Sequence, residues 1–272
     1  MFYGLASGKV KLDGITIEHF LEDIQSLNQR AMNSEIEVTA ISAHAFPYVA
    51  DKYWIMETGA SMGEGYGPVL VSQEYSSLDE LKENIRSGKE TRAAATPGKL
   101  TTATLLFKIF CEGISNIDVP FDTIMQKVLD GTYCAGLLIH EGQLTYHDEG
   151  FRKLLDFGEF WEERTTKDFG RLPLPLGLDV VRKDLGEELA RKLSRGLKES
   201  IHYGYTHQSE AIPYAMQWGR GINDELGETF VKMYVSELTI NMGEKGKQAL
   251  ELLYRLAREK QLLIDIPRII LM

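Results

Sequence analysis

The sequence predicts an α/β fold of two lobes, with two chain crossings and a ligand cleft between the lobes. One observation is that strand-like and helix-like segments alternate along the first part of the chain. A second is that this alternation restarts after residues 87–89, which indicates a first crossing between lobes. A third is that Pro173 and Pro175 favour an extended second crossing, because proline is disfavoured inside helices.

The predicted lobes are discontinuous in sequence. From Leu185 to the end, apolar residues recur at spacings of three and four, which predicts helices that return to the first lobe. We therefore assign residues 1–88 and 177–272 to lobe 1 and residues 89–176 to lobe 2. Clefts between lobes are favoured ligand sites, and hinging at the crossings would close such a cleft around a ligand.

Lobe 1 shows helix-start and strand signals in regular order. Asp23 and Ser77 are suited to cap helices, because their side-chain oxygens can accept hydrogen bonds from the free N–H groups of a first turn. We expect helices over residues 1–8, 23–33 and 77–85, strands over 15–23, 38–46, 53–58 and 69–74, and a glycine-dense loop over 59–68.

Lobe 2 is predicted to run strand, helix, strand, helix, strand, over residues 89–97, 99–113, 117–121, 122–131 and 134–142. Its last strand, CAGLLIHEG, is an apolar run that ends in His140. The lack of polar alternation is typical of a strand covered on both faces, as in a parallel sheet. Ligands bind beyond the carboxyl ends of such strands, so His140 is a candidate proton acceptor. A histidine satisfied by backbone partners is the alternative, and this stretch alone leaves both readings open.

The stretch TPGKLTTATLL is the second candidate site. Gly98 is expected to make a turn, and Thr101, Thr102 and Ala103 begin a helix directly after it. Free N–H groups and the helix dipole make helix starts suited to anions, and two threonine hydroxyls add donors. The alternative is that one threonine only caps the helix. Ser42, near the end of a lobe 1 strand, is a weaker candidate on the same cleft.

The composition limits the classes of partner. The 40 acidic residues exceed the 30 basic residues, so the net charge of −10 argues against nucleic acid and membrane surfaces as partners. A small anionic substrate remains compatible with a local site. We expect no metal, because the histidines and the two cysteines lack metal-ligand spacing. The start of the chain lacks the pattern of a signal peptide, which predicts a cytoplasmic location.

Five motifs together resemble the 1,4-dihydroxy-6-naphthoate synthase family of the futalosine route to menaquinone biosynthesis. They are GLLIHEG with the TY that follows, FWEERT, LPLPLG, GPVLV and NMGEKG. The resemblance implies a type II periplasmic-binding-protein-like fold and a carbon–carbon lyase that cleaves cyclic dehypoxanthinyl futalosine without a cofactor. A homodimer stays open as its oligomeric state.

The resemblance also implies roles for individual residues. The family's catalytic base falls on His140, and its helix-start threonine and alanine fall on Thr102 and Ala103. Its lysine-leucine-serine binding stretch falls on Ala40, Ile41 and Ser42, so the lysine is replaced by alanine. The family's arginine in the glycine-dense loop is Glu64 here. The contact to a substrate carboxylate is therefore expected from the helix start or from Lys99.

Two further expectations follow from the resemblance. Family members carry a first strand and a PNDTF-like loop before the helix that begins here at Met1, so we expect that the chain as given starts at an internal methionine or at a wrongly placed start. The alternatives for function are a chorismate dehydratase-like enzyme of the same pathway and a non-catalytic solute-binding protein.

Overall fold

The computed structural model describes residues 1–139, 142–217 and 235–272, which form two β-sheets with helices packed around them. The strands are β1 (Val38–Ser42), β2 (Tyr53–Ile55), β3 (Ser61–Gly63), β4 (Val69–Ser72), β5 (Ala94–Thr96), β6 (Asn116–Asp118), β7 (Ala135–Leu138), β8 (Arg152–Asp156) and β9 (Leu174–Arg182). The helices are α1 (Tyr3–Ala6), α2 (Ile24–Met32), α3 (Leu78–Arg86), α4 (Thr102–Phe110), α5 (Ile124–Leu129), α6 (Gly142–Thr145), α7 (Phe157–Phe169), α8 (Glu187–Thr206), α9 (Gln208–Met216), α10 (Glu237–Ile240) and α11 (Gly243–Glu259).

The first sheet is built around β9. This strand pairs antiparallel with β1 on one side and with β2 and β3 on the other. In its register Gly177 lies opposite Ser42 of β1 and also opposite Ser61 of β3. Leu178 and Val180 of β9 are buried in the core, which explains why the longest strand holds this sheet together.

The second sheet has the strand order β6-β5-β7-β4-β8. All four residues of β7 are buried, which agrees with the apolar run in the sequence. β7 runs parallel to β5 but antiparallel to β4, so the sheet is mixed rather than purely parallel. A Cβ atom on Gly136 would lie 2.5 Å from Cγ2 of Ile124, so the glycine allows α5 to pack closely on this strand.

The helix α7 carries the FWEERT motif and fixes the crossing that leads into β9. The buried Trp161 donates its indole N–H to the carbonyl oxygens of Leu172 and Pro173, at 3.2 and 3.0 Å. Pro173 lies directly before β9 and Pro175 lies within it, as the fixed backbone angle of proline predicts. The charged motif is therefore part of a structural helix that supports β9.

Most predicted elements occur, and the caps expected at Asp23 and Ser77 are confirmed. Asp23 accepts hydrogen bonds from Gln25 N and Ser26 N, and the Ser77 side chain accepts one from Glu80 N. The strand predicted from Ile15 is wrong, because residues 15–23 form no β-ladder with any described strand. A strand needs a partner edge, and local alternation of apolar residues cannot supply one.

Sheet membership differs from our expectation at one strand. We placed β4 with the residues of lobe 1, whereas it pairs with β7 and β8 of the second sheet. The glycine-dense loop also contains a strand that we did not predict, β3. The lobe boundaries themselves stay a prediction. In the part of the chain that the structure describes, no helix combines the length and the apolar character needed to cross a membrane.

A charge network around the buried Glu90 joins the strand ends of the second sheet. The Glu90 carboxylate, 5% exposed as a residue, accepts hydrogen bonds from Arg92 N at 2.7 Å and from the Tyr75 hydroxyl at 2.8 Å. The Arg92 guanidinium bonds both Glu90 and Glu74. Burial by itself raises the pKa of Glu90, but the hydrogen bonds from Arg92 and Tyr75 outweigh it and lower the pKa to about 2.

We predict that Glu90→Gln lowers the free energy of unfolding by about 1–3 kcal/mol at neutral pH, because a charged acceptor of several hydrogen bonds is lost. The difference in free energy of unfolding between variant and parent should shrink as the pH falls from about 4.5, the ordinary pKa of a glutamate, towards about 2, the pKa of Glu90 in the folded protein. Over this range the unfolded chain takes up a proton at Glu90 before the folded protein does, and the stabilising effect of the charged carboxylate is lost. Urea denaturation at several pH values measures both effects. The exposed Glu83→Gln on α3 is the control, and equal losses in the two variants would contradict the prediction.

Candidate functional site

A cavity of about 210 Å³ lies between the first sheet and the start of α4, which follows β5 of the second sheet. Its walls bring together residues that are far apart in the sequence: Ile24, Ser42, Ser61, Pro68, Thr101, Thr102, Ala103, Ile139, Leu176 and Gly177. Four of the residues that the sequence predicts for the site are among them.

The first sheet provides the floor of this cavity. Directly opposed residues in antiparallel strands project to the same face, so Ser42 and Ser61 flank Gly177 on one face. A Cβ atom on Gly177 would meet only ordinary contacts, at 3.5 Å from Ile41 O and 3.6 Å from Ser61 Cβ. The glycine therefore leaves the space between the two serines open.

Ser42 is held by the buried Asn28 of α2. The Ser42 N–H donates to Asn28 Oδ1 at 2.8 Å, and Asn28 Nδ2 donates to Ser42 Oγ at 3.1 Å. These two bonds occupy the outward-facing backbone donor at the end of β1 and one lone pair of the hydroxyl. The hydroxyl proton of Ser42 is left to donate elsewhere.

The opposite wall is the first turn of α4. The Thr101 hydroxyl accepts a hydrogen bond from Thr104 N at 3.2 Å and donates one to Gly98 O at 2.8 Å, so it is a helix cap. The Thr102 hydroxyl donates to Leu176 O at 2.6 Å and accepts from His44 N at 3.2 Å. Both hydroxyls are therefore used to connect parts of the chain.

The backbone of this turn supplies the free donors. Among the described residues, the N–H groups of Thr102 and Ala103 have no acceptor, and both residues line the cavity. Unpaired N–H groups at a helix start, together with the helix dipole, favour an anion. The donors available to the predicted anion are thus backbone groups rather than the threonine hydroxyls.

His44 and Gln25 connect the start of α4 to the first sheet and its helix. The ring Nδ1 of the buried His44 lies 3.2 Å from Thr101 O, and Gln25 Oε1 accepts a hydrogen bond from Leu100 N at 3.2 Å. Burial lowers the pKa of His44 to about 4, against the opposing effect of the Thr101 carbonyl. The ring is therefore neutral near pH 7 and serves as a fixed contact.

The other predicted site residues have different surroundings. Ile41 is fully buried in the core, because it projects to the opposite face of β1 from Ser42. Ala40 lines a separate cavity of about 100 Å³ and lies opposite Asp179 in the β1–β9 register. His140 lies outside the described residues, and its sequence neighbour Ile139 lines the 210 Å³ cavity. The binding roles of these residues stay predictions.

Two residues with buried, unpartnered side-chain oxygens among the described residues were not predicted from the sequence. The Ser61 hydroxyl oxygen is buried in the cavity wall and has no hydrogen-bond partner among the described residues. Both carboxylate oxygens of Asp179 also have no hydrogen-bond partner among the described residues, and burial raises the pKa of this carboxyl group to about 7. Leaving such a group unpaired costs about 1–3 kcal/mol. No local signal marks either residue, because their burial arises from strand pairing.

A second cavity lies elsewhere. It has a volume of about 780 Å³ and lies between α1, α8 and α9, with Tyr3, Tyr205 and Glu64 in its walls. Among the described residues, none of those predicted for binding lines it, so the smaller cavity is the better candidate site. No group of three or more histidine, cysteine, aspartate or glutamate side chains in residues 1–139, 142–217 and 235–272 is arranged to hold a metal ion.

Comparison with known proteins gives one consistent result. A family model described as menaquinone biosynthesis matches residues 1–259. A protein of Thermus thermophilus named 1,4-dihydroxy-6-naphthoate synthase is 34% identical over 98% of this chain and 93% of its own length. A protein of the same name from Streptomyces coelicolor is 32% identical over 95% of this chain and 89% of its own length.

Solved structures agree on the fold. A crystal structure of a protein from Archaeoglobus fulgidus is 44% identical, with a TM-score of 0.86 over 96% of this chain and 93% of that one. A Candida albicans protein with the generic periplasmic binding protein fold has a TM-score of 0.62 at 11% identity, over 100% of this chain and 93% of that one. The expected two-lobed α/β fold of the periplasmic-binding-protein type is confirmed.

We predict that Thr102→Val lowers the free energy of unfolding by about 1–3 kcal/mol, because the His44 N–H and the Leu176 carbonyl lose their partner. Thr102→Ser keeps the hydroxyl and should restore most of this loss. The exposed Thr132→Val provides the matched control. Urea denaturation measures all three, and a loss in Thr102→Val no larger than in the control would contradict the prediction.

Proposed function

Because this chain belongs to the menaquinone biosynthesis family, we propose that it is a carbon–carbon lyase of the 1,4-dihydroxy-6-naphthoate synthase type, which cleaves cyclic dehypoxanthinyl futalosine. The observation that carries the proposal is the cavity whose walls combine Ser42, Thr102 and Ala103, the residues matched to the family's binding positions. The two relatives carry the name 1,4-dihydroxy-6-naphthoate synthase, and the lyase reaction with its substrate is what the resemblance of the motifs implies.

The substrate's carboxylate is the group that the start of α4 would hold. A naphthoate precursor carries a carboxylate, and the free N–H groups of Thr102 and Ala103 are donors for one. Neither lysine nor arginine lines the described cavity, so the charge would be balanced by the helix dipole and by neutral donors. This arrangement accounts for binding without the family's lysine, which is Ala40 here.

His140 is the base in this proposal. A neutral imidazole would take a proton from the sugar portion of the substrate, and the carbon–carbon bond would then break by elimination. Aromatisation of the naphthoate ring supplies driving force. General-base catalysis contributes about 100- to 10,000-fold, so positioning of the substrate must supply the remainder.

In this proposal the substrate is positioned by the cavity floor and by the contacts that hold the start of α4 against the first sheet. The Ser42 hydroxyl is held in place by Asn28, so its proton can be directed to a polar group of the substrate. The bonds of Thr102 to Leu176 and His44 fix the start of α4 relative to the first sheet. Closure of the lobes over the cavity would exclude water during the reaction.

We expect His140→Asn to lower the rate of conversion at least about 100-fold, because the proton acceptor is lost while the shape is nearly kept. The measurement is the rate at which 1,4-dihydroxy-6-naphthoate forms from the cyclic nucleoside, with the product quantified by chromatography. The control is His202→Asn on the exposed face of α8, which should convert the substrate at the parent rate.

Three results would contradict the proposed function. Turnover by His140→Asn at the parent rate would remove the histidine from the mechanism. Tight binding of the cyclic nucleoside by the parent protein without any conversion over a long incubation would favour a solute-binding protein. Formation of a dehydrated product from chorismate would favour the other enzyme of the pathway.

A further inference from the structure

Ser61 differs from the other hydroxyl-bearing residues of the cavity. Thr101 and Thr102 each donate and accept hydrogen bonds within the protein. Ser42 accepts one from Asn28. Ser61 Oγ is buried and makes no hydrogen bond within residues 1–139, 142–217 and 235–272. Native proteins rarely leave a buried hydroxyl unpaired, and such a group in a cavity wall indicates a missing partner.

The register of the first sheet sets the place of this hydroxyl. Ser61 lies opposite Gly177, and Leu176, the preceding residue on β9, accepts the hydrogen bond from Thr102. The same short stretch of β9 therefore lies beside both Ser61 and the first turn of α4. Gly177 adds no side chain between them, and Ser61 and the start of α4 line the same cavity.

The donors available in this space define the chemistry of the ligand group. The N–H groups of Thr102 and Ala103 and the Ser61 hydroxyl are all neutral donors, and the described walls hold no lysine or arginine. Neutral donors and one helix dipole suit a single negative charge better than the double charge of a phosphate. A carboxylate has one negative charge and two oxygens, and each oxygen can accept from a different wall.

We propose that Ser61 is a substrate-binding residue that donates a hydrogen bond to the carboxylate held at the start of α4. The carboxylate then connects β3 of the first sheet with α4, in addition to the bond between Thr102 and Leu176. This inference rests on the proposed function, which supplies an aromatic carboxylate as the ligand. It assigns to a residue of the glycine-dense loop a contact that the sequence did not predict.

The test compares two stable probes with the same ring and nearly the same shape, the negatively charged 2-naphthoate and its neutral amide, 2-naphthamide. Their dissociation constants are measured by titration calorimetry or fluorescence for the parent and for Ser61→Ala. Loss of a hydrogen bond to a charged group should weaken 2-naphthoate binding about tenfold or more, whereas 2-naphthamide should change by less than about threefold.

Ser87→Ala, an exposed substitution after α3, is the matched control and should leave both constants unchanged. Thermal denaturation confirms that each variant is folded. The proposal is overturned if Ser61→Ala binds 2-naphthoate like the parent, if it weakens both probes equally, or if the parent does not bind 2-naphthoate. Failure of the proposed function gives a different result: the parent does not convert the cyclic nucleoside, while 2-naphthoate binding still depends on Ser61.

Discussion

The pairing of β9 with both β1 and β3 is the constraint on which the site depends. It places Ser42 and Ser61 on either side of Gly177 and so forms the cavity floor. The next residue towards the start of β9, Leu176, accepts the hydrogen bond that ties α4 to this sheet. The second crossing, supported by Trp161 of α7, therefore determines both the floor of the cavity and the position of its opposite wall.

The anion site that we propose depends on backbone geometry more than on formal charge. The chain has a net charge of −10, and the positions matched to the family's lysine and arginine are Ala40 and Glu64. The first turn of α4 still offers two free N–H groups at the end of a helix dipole. Because helix-start donors are fixed by main-chain geometry, they survive substitutions that remove charged side chains.

The fold was predictable where its signals are local. Asp23, Ser77 and Thr101 cap helices because a short polar side chain can reach the N–H groups of the next turn. The apolar run of β7 likewise predicts a strand that is buried on both faces. Strand pairing is not local, and this explains why the sequence did not indicate that β4 joins the second sheet or that residues 15–23 form no strand.

The sequence by itself determined the family, the two-lobed fold and the helix start at Thr102 and Ala103, because motifs and caps are encoded by adjacent residues. Tertiary structure decided that the threonine hydroxyls bind protein groups and that Ile41 enters the core. It also decided that the hydroxyl oxygen of Ser61 is buried in the cavity wall, on the strand position opposite Gly177. These outcomes depend on strand register, which brings distant residues together and which no single stretch of sequence specifies.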